Sequence, residues 1–149
     1  MNVYEFHRAQ FVPHPTEKVF DFFACAENLE QLTPPFLRFQ ITRSPRTMEV
    51  GARIEYKLRV HAVLVRWRTI IETWEPPHSF VDTQAKGPYK LWHHTHRFRA
   101  ENGGTWIEDT VRYALPFGPL GRIVHRLMVA RDVAAIFAYR ARKVREIFP

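Results

Sequence analysis

An Asn-Gly pair at positions 102 and 103 constrains the fold of this chain more than any other feature. The flanking stretches, residues 90–100 and 105–115, both alternate apolar with polar side chains, which is the pattern of half-buried strands. Asn-Gly is the strongest short-range signal for a two-residue β-hairpin turn. Such a turn pairs Glu101 with Gly104 and thereby fixes every other cross-strand pair. Among these pairs are Phe98 with Ile107, Trp92 with Tyr113 and His96 with Asp109.

The charged side chains of the two strands predict which face is buried. Arg97, Arg99 and Arg112 should face water, because arginine is seldom buried without a partner. The intervening positions then share the inner face: Trp92, His94, His96, Phe98, Ile107, Asp109, Val111 and Tyr113. His93 falls on the outer face.

Proline and glycine pairs divide the rest of the chain into further elements. A strand is predicted over residues 4–12, helices over 15–26 and 28–32, and strands over 37–42, 54–61, 64–74 and 80–85. The strand at 54–61 alternates apolar with charged or polar residues, which is typical of an antiparallel sheet with one exposed face. The sequence therefore predicts an α+β fold: about seven strands in one curved antiparallel sheet, two short helices after the first strand and a long C-terminal helix.

The predicted last helix, residues 120–148, carries one apolar stripe that no charged residue interrupts, so the stripe should lie against the sheet. Its members are Leu120, Ile123, Leu127, Ala130, Ala134, Phe137, Ala141, Val144 and Phe148. The middle of the stripe is rich in alanine. Two interpretations remain open: close packing of the helix on the sheet, or a cavity between them.

Composition and charge favour one cytoplasmic domain over residues 1–149. The chain is long enough to bury a core without disulfides or metal, and its single cysteine suits a reducing compartment. Its beginning contains no apolar stretch of the signal-peptide type.

The positive charge of the chain is concentrated near its end. The net charge is +7, and from Pro119 onward there are seven Arg or Lys residues and only two acidic residues. This segment is either a solvated helix face or a surface that attracts anionic lipid or nucleic acid.

Three stretches carry a resemblance to a known superfamily: HPTEKVFDFFACAENLEQLTP (14–34), WHHTHRF (92–98) and GGTWIEDTVRYALPFGPLG (103–121). Over essentially its full length the chain resembles the SRPBCC superfamily of START-like, helix-grip proteins, and especially the bacterial polyketide cyclase/dehydrase-type members. The resemblance implies a curved sheet that grips a long C-terminal helix around an apolar cavity. It also implies binding of a hydrophobic small molecule or lipid, which some members cyclise or dehydrate. It implies no metal or other cofactor, and it assigns no catalytic residue.

The inner residues His94, His96 and Asp109 are the candidates for chemistry. Two histidines at i, i+2 and a carboxylate are suitable ligands for a divalent metal, but the sequence shows no secure further ligand, and we predict no metal site. Alternatively, His96 carries a proton and Asp109 orients it. The interpretation that the pattern favours is structural: a carboxylate satisfies a buried imidazole, because unpaired buried polar groups are costly.

Ligand binding is predicted in a cavity between the inner sheet face and the middle of the last helix. Its walls should combine apolar area with a few polar groups, as small-molecule sites do. The predicted lining is Phe39, Tyr56, Leu58, Trp67, Trp92, His94, Phe98, Ala130, Ala134 and Phe137.

Two classes of function remain. The first is a carrier or sensor of a hydrophobic small molecule or lipid, with transient contact to anionic membranes through the basic C-terminal helix. The second is a cyclase or dehydratase that uses His94, His96 and Asp109. The sequence favours the first, because acid–base catalysis requires accurate geometry that a pattern does not demonstrate. Nucleic-acid binding is disfavoured, because Trp92, Phe98 and Tyr113 map to the inner face.

Overall fold

The computed structural model describes residues 2–149 and contains a seven-stranded sheet in which every neighbouring pair is antiparallel. The strands are β1 (Tyr4–Val12), β2 (Gln40–Arg43), β3 (Arg53–Val60), β4 (Val63–Glu75), β5 (Ser79–Lys86), β6 (Leu91–Glu101) and β7 (Gly104–Ala114). Their order in the sheet is β1-β7-β6-β5-β4-β3-β2. Strands β2 to β7 therefore follow one another as a meander, and β1 returns beside β7.

Short helices follow β1, and a long helical segment ends the chain. The helices are α1 (Thr16–Phe23), α2 (Leu29–Leu32), α3 (Gly118–Val124) and α4 (Ala130–Ile147). A π-helical turn, His125–Val129, joins α3 to α4, and 3-10 turns occupy Ala26–Asn28 and Pro35–Leu37. The predicted fold class is confirmed: seven strands, two short helices after the first strand and a long C-terminal helix.

The β6–β7 hairpin has the register that the Asn-Gly pair predicts. Glu101 pairs with Gly104, and the pairs farther along the strands follow from it. Asn102 and Gly103 have φ angles of 50° and 78°, in the left-handed region that a two-residue turn of this kind requires. The predicted inner residues of both strands are buried, apart from Trp92, which is half-buried.

The prediction of a strand over residues 37–42 is wrong at its start. Leu37 ends a 3-10 turn and Arg38 has a φ of 48°, so β2 begins only at Gln40. The preceding Pro34 and Pro35 explain the difference. They lack the N–H groups that a strand would use, and their carbonyls accept hydrogen bonds from the backbone of Leu37 and Arg38.

The predicted apolar stripe of the last helix is buried from Phe137 onward and half-buried at Ala130, but it is wrong at the other positions before Phe137. Leu120, Ile123 and Leu127 are 58%, 49% and 62% exposed, and Ala134 is exposed as well. The inward positions before Phe137 instead follow at four-residue steps: Val133, Val129, His125 and Gly121, of which the first and last are fully buried. An α-helix has 3.6 residues per turn, so repeated four-residue steps drift around it. The wider π turn at His125–Val129 absorbs this drift.

The core consists of two clusters on the concave face of the sheet. The larger lies between α1, the end of α4 and the strands, and includes Val12, Val19, Phe20, Phe23, Leu32, Ile71, Phe80, Phe98, Ile107, Val144 and Phe148. The smaller joins the first half of α4 to β7 through Val111, Tyr113, Val133 and Phe137. Within residues 2–149, no helix combines the length and apolar character needed to cross a membrane.

Candidate functional site: a buried His–Asp cluster and an aromatic wall

A cluster of polar side chains lies between the two core clusters. Asp82 comes from β5, His94 and His96 from β6, Asp109 from β7 and Arg140 from α4. The predicted cross-strand pair is confirmed, since His96 lies opposite Asp109; on the other side of β6, Asp82 lies opposite His94. We call these five residues the His–Asp cluster.

The hydrogen bonds of the cluster run diagonally rather than straight across the strands. Because an ionised carboxylate can only accept, each histidine donates: His94 Nε2 to Asp109 Oδ1 at 2.7 Å, and His96 Nε2 to Asp82 Oδ2 at 2.5 Å. The directly opposite atoms are farther apart, at 3.6 Å between His96 Nδ1 and Asp109 Oδ1 and 3.8 Å between His94 Nδ1 and Asp82 Oδ2. The predicted imidazole–carboxylate pairing is therefore present, but with exchanged partners.

Aromatic packing holds both imidazoles in place. The ring of His96 stacks between Phe80, at 4.0 Å between centroids, and His94, at 3.6 Å. Phe137 of α4 meets the His94 ring edge-on at 5.4 Å. The rings can rotate only if these neighbours move, so the diagonal pairing is set by packing as well as by hydrogen bonds.

The electrostatics of the cluster favour ionised carboxylates and a neutral His96. Burial opposes ionisation of Asp109, but the positive charge of Arg140 and the hydrogen bond from His94 outweigh it and hold its pKa well below the usual range. For Asp82, burial is likewise outweighed, chiefly by the hydrogen bond from His96, and the pKa is lowered. Burial, together with the neighbouring His94, lowers the pKa of His96 to about 4. Arg140 Nη2 lies 3.5 Å from His96 Nδ1, which can accept from it in the neutral tautomer.

The sequence prediction missed two members of the cluster, Asp82 and Arg140. Both carried a usable signal. Asp82 lies two residues after Phe80, and alternation places both on one face of the predicted strand. Arg140 lies three residues after Phe137 on the predicted helix, a spacing that shares a face.

Half-buried aromatic residues line the concave face beyond the cluster, toward β2. Successive ring centroids lie 4.7 Å apart for Phe39 and Tyr56, 5.8 Å for Tyr56 and Trp67, and 5.5 Å for Trp67 and Trp92. Tyr89, which the sequence prediction did not include, contacts both Trp67 and Trp92, at 5.5 and 4.9 Å. We call these five residues the aromatic wall.

The other predicted lining residues are dispersed. Leu58 is buried on β3, whereas Phe98 and Phe137 belong to different core clusters. Ala130 is half-buried, and Ala134 points away from the sheet. The structure thus brings together the aromatic part of the predicted lining but not its alanine part.

A small void lies between the sheet and the C-terminal half of α4. The void beside Asp109, Phe137 and Arg140 measures about 10 Å³, enough for no more than a single water molecule. A larger cleft of about 390 Å³ lies on the surface at the start of α3. Its lining includes Tyr4, Leu115, Pro119 and the cations Lys90 and Arg122.

Comparison with known families identifies the chain. Residues 12–137 match the family described as "Polyketide cyclase / dehydrase and lipid transport". The chain belongs to this family. Its membership confirms the predicted place in the SRPBCC superfamily and supports a domain for hydrophobic ligand binding or lipid transport. Comparison with curated proteins gives no match.

Several solved structures have the same fold as this member of the family. TTHA0849 from Thermus thermophilus is 20% identical, with a TM-score of 0.69 and coverage of 98% of this chain and 100% of its own. Ara h 8.0201 is 16% identical, with a TM-score of 0.67 and coverage of 97% and 99%. Major latex-like protein 151 from Panax ginseng is 11% identical, with a TM-score of 0.60 and coverage of 89% and 96%. At these identities the likeness is one of fold.

Proposed function

We propose that this domain binds a hydrophobic small molecule or lipid between the aromatic wall and the C-terminal helix, as a cytoplasmic carrier or sensor. The observation that carries the proposal is the aromatic wall itself. Its five side chains stay half-buried although they contact one another, so they offer apolar area that a ligand can cover.

A polar atom within the wall supports the same proposal. Trp67 Nε1 is buried and has no hydrogen-bond partner among residues 2–149. Buried donors are nearly always paired in proteins. An acceptor oxygen on an otherwise apolar ligand would satisfy this donor and orient the ligand along the wall.

The ligand is proposed to enter between the C-terminal helix and the sheet. The void of about 10 Å³ beside Asp109, Phe137 and Arg140 is far smaller than small-molecule sites, which typically measure roughly 300–1,000 Å³, so that end of the helix does not hold the ligand. The exposed apolar side chains of α3 and the π turn indicate which part of the helix is least tightly packed. We place the opening there.

Replacing Trp67 tests the site. Binding of 1-anilinonaphthalene-8-sulfonate, followed by its fluorescence, should weaken roughly tenfold in Trp67→Ala because a central ring contact is lost. Trp106→Ala is the matched control. It removes an equal side chain from β7, where Trp106 alternates with the buried Ile107 and lies on the opposite face. An equal loss in both variants, or no binding to the parent protein, would contradict the proposal.

A cyclase- or dehydratase-type reaction is the second candidate, and the His–Asp cluster is the observation that favours it. Neutral His96 has the protonation state of a general base, with Asp82 as its orienting group, and ionised Asp109 orients His94 in the same way. Mass spectrometry of organic extracts from the purified protein distinguishes the two candidates. A carrier releases its ligand unchanged, whereas an enzyme releases a product that the Asp109→Asn variant fails to form.

We further propose that the domain contacts anionic membranes transiently while it loads or delivers its ligand. The segment from Thr110 to Arg131 contains no acidic residue. Exposed apolar side chains, among them Phe117, Leu120 and Leu127, alternate there with the exposed cations Arg122 and Arg126. Apolar groups together with cations are the combination that binds the interface of an anionic bilayer.

A further inference from the structure

We infer that Asp82, His94 and His96 form a divalent-metal site of the two-histidine, one-carboxylate type. One donor atom from each residue can be chosen so that all three lie within 4.8 Å of one another. The sequence offered only two histidines and Asp109, without a further ligand. In the proposed site Asp82, which β5 brings to the same place, is the carboxylate ligand instead of Asp109.

The distances suit one small ion. Two donors bound to the same ion at about 2.0–2.2 Å lie roughly 3–4 Å apart. His94 Nδ1 and Asp82 Oδ2 are already 3.8 Å apart, beyond hydrogen-bond distance. His96 Nε2 and Asp82 Oδ2, now 2.5 Å apart, would have to separate by about 0.5–1 Å to reach that range. Asp82 has the most exposed side chain of the three, at 16%, and can move.

Asp109 has the position of an orienting group behind the ligands. It accepts the hydrogen bond from His94 Nε2, and in the neutral tautomer that makes this bond Nδ1 carries no proton and faces Asp82 Oδ2 at 3.8 Å. Metal-binding histidines commonly donate their second N–H to a carboxylate in this way, and the carboxylate fixes the tautomer and the ring orientation. The second nitrogen of His96 also faces Asp109, at 3.6 Å from Oδ1.

Asp82 is held by the two histidines that would share the metal with it. Its ion pairs within residues 2–149 are with His94 and His96 alone. A metal ion between the three side chains would replace these contacts and offset the cost of burying the carboxylate.

The donor set selects the class of metal. Two imidazoles and a carboxylate suit zinc, ferrous iron and their neighbours among the transition metals, whereas magnesium and calcium prefer oxygen ligands alone. Water would complete the coordination. Thiolate-dependent metals are excluded from the site, because Cys25, the single cysteine, is exposed in a different part of the chain.

Metal titration of the chelator-treated protein tests the inference. Zn²⁺ affinity is measured by competition with a chromophoric chelator, and Co²⁺ binding by visible absorption, both near pH 7. We expect one tightly bound equivalent. Asp82→Asn should remove a ligand charge and lower the affinity more than tenfold. Asp109→Asn should lower it by about 10–100-fold, because a neutral amide is a weaker acceptor for the His94 N–H and orients the ring less firmly.

The control is a second histidine–aspartate pair. His61 Nε2 lies 2.9 Å from Asp132 Oδ2 at an exposed position, so His61→Gln should leave the affinity unchanged. Wild-type affinity in Asp82→Asn, or a loss in His61→Gln, overturns the inference.

If Asp82→Asn does not fold, NMR of the histidine side chains in the wild type provides the test. Addition of Zn²⁺ should shift the resonances of His94 and His96. Shifts confined to exposed histidines would overturn the metal site. The titration uses no hydrophobic ligand, so its result is independent of the proposed carrier function.

Discussion

Asp109 connects the sheet to the C-terminal helix through buried polar groups. It is buried, it accepts the hydrogen bond from His94, and its negative charge is stabilised by Arg140 from the C-terminal helix. It thus links the sheet to the helix electrostatically in a region where the other contacts are mainly apolar. If the Asp109 carboxylate is removed, the charge of Arg140 and the polar N–H of His94 lose their partner.

Asp109→Ala should therefore destabilise the metal-free protein by roughly 3–5 kcal/mol, the cost typical of breaking a buried ion pair. Urea unfolding measures the change. Glu108→Ala is the matched control on the same strand: Glu108 pairs with exposed Arg99 at 3.0 Å, and a surface pair of this kind contributes at most about 1 kcal/mol. Equal losses in the two variants would show that the buried cluster does not stabilise the fold.

At the scale of elements, the β3–β4 and β6–β7 hairpins both have two-residue turns, but their turn residues differ in how well they suit a left-handed backbone. The β6–β7 turn has Asn102 and Gly103, the residues that left-handed positions favour. The β3–β4 turn has His61 and Ala62 at φ angles of 48° and 68°, with no glycine to relieve the strain. The His61 ring reaches Asp132 on α4, so this turn also joins the sheet to the helix.

Ala62→Gly should stabilise the protein by roughly 0.5–1 kcal/mol. Relief of the left-handed strain on alanine exceeds the additional entropy that glycine loses on folding. The reciprocal change, Gly103→Ala, should destabilise it by about 1–2 kcal/mol, because φ is 78° there although the space around the position is open. Thermal or urea unfolding of both variants checks the argument. A destabilised Ala62→Gly protein would contradict it.

At the scale of the whole molecule, the sheet closes on the C-terminal helix at one end and leaves apolar side chains exposed at the other. The end of α4 belongs to the larger core cluster, whereas Leu120, Ile123 and Leu127 on α3 and the π turn are about half exposed or more. Basic residues occupy the same segment. This asymmetry is the basis of the proposed contact with anionic membranes.

Binding to lipid vesicles should depend on that end. In sedimentation assays, vesicles containing phosphatidylserine should bind the protein, and pure phosphatidylcholine vesicles should not. Each of Arg122→Gln and Arg126→Gln should weaken binding about fivefold, since one surface cation contributes about 1 kcal/mol. The control compares the double variant Arg122→Gln/Arg126→Gln with Arg97→Gln/Arg112→Gln, which also removes two positive charges but from the outer face of the hairpin. If the two pairs of substitutions act equally, only net charge matters and the proposed surface is wrong.

The sequence by itself determined the hairpin of β6 and β7, its register and its buried face. It could do so because a two-residue turn and a period of two are local properties: Asn102 and Gly103 fix the pairing, and alternation then fixes which side of the sheet His96 and Asp109 share. The seven strands and the long last helix follow from similarly local patterns.

Only the tertiary structure decided which groups meet at the site. The β5–β6 connection, residues 87–90, is not a two-residue turn, so no register could be derived to bring Asp82 to His94 and His96. The phase of the helix before Phe137 depends on a π turn that the apolar spacing does not reveal. The partners of the two histidines were decided by the stacking of Phe80 and the approach of Arg140, because side-chain hydrogen bonds follow the packing around them rather than their order along the chain.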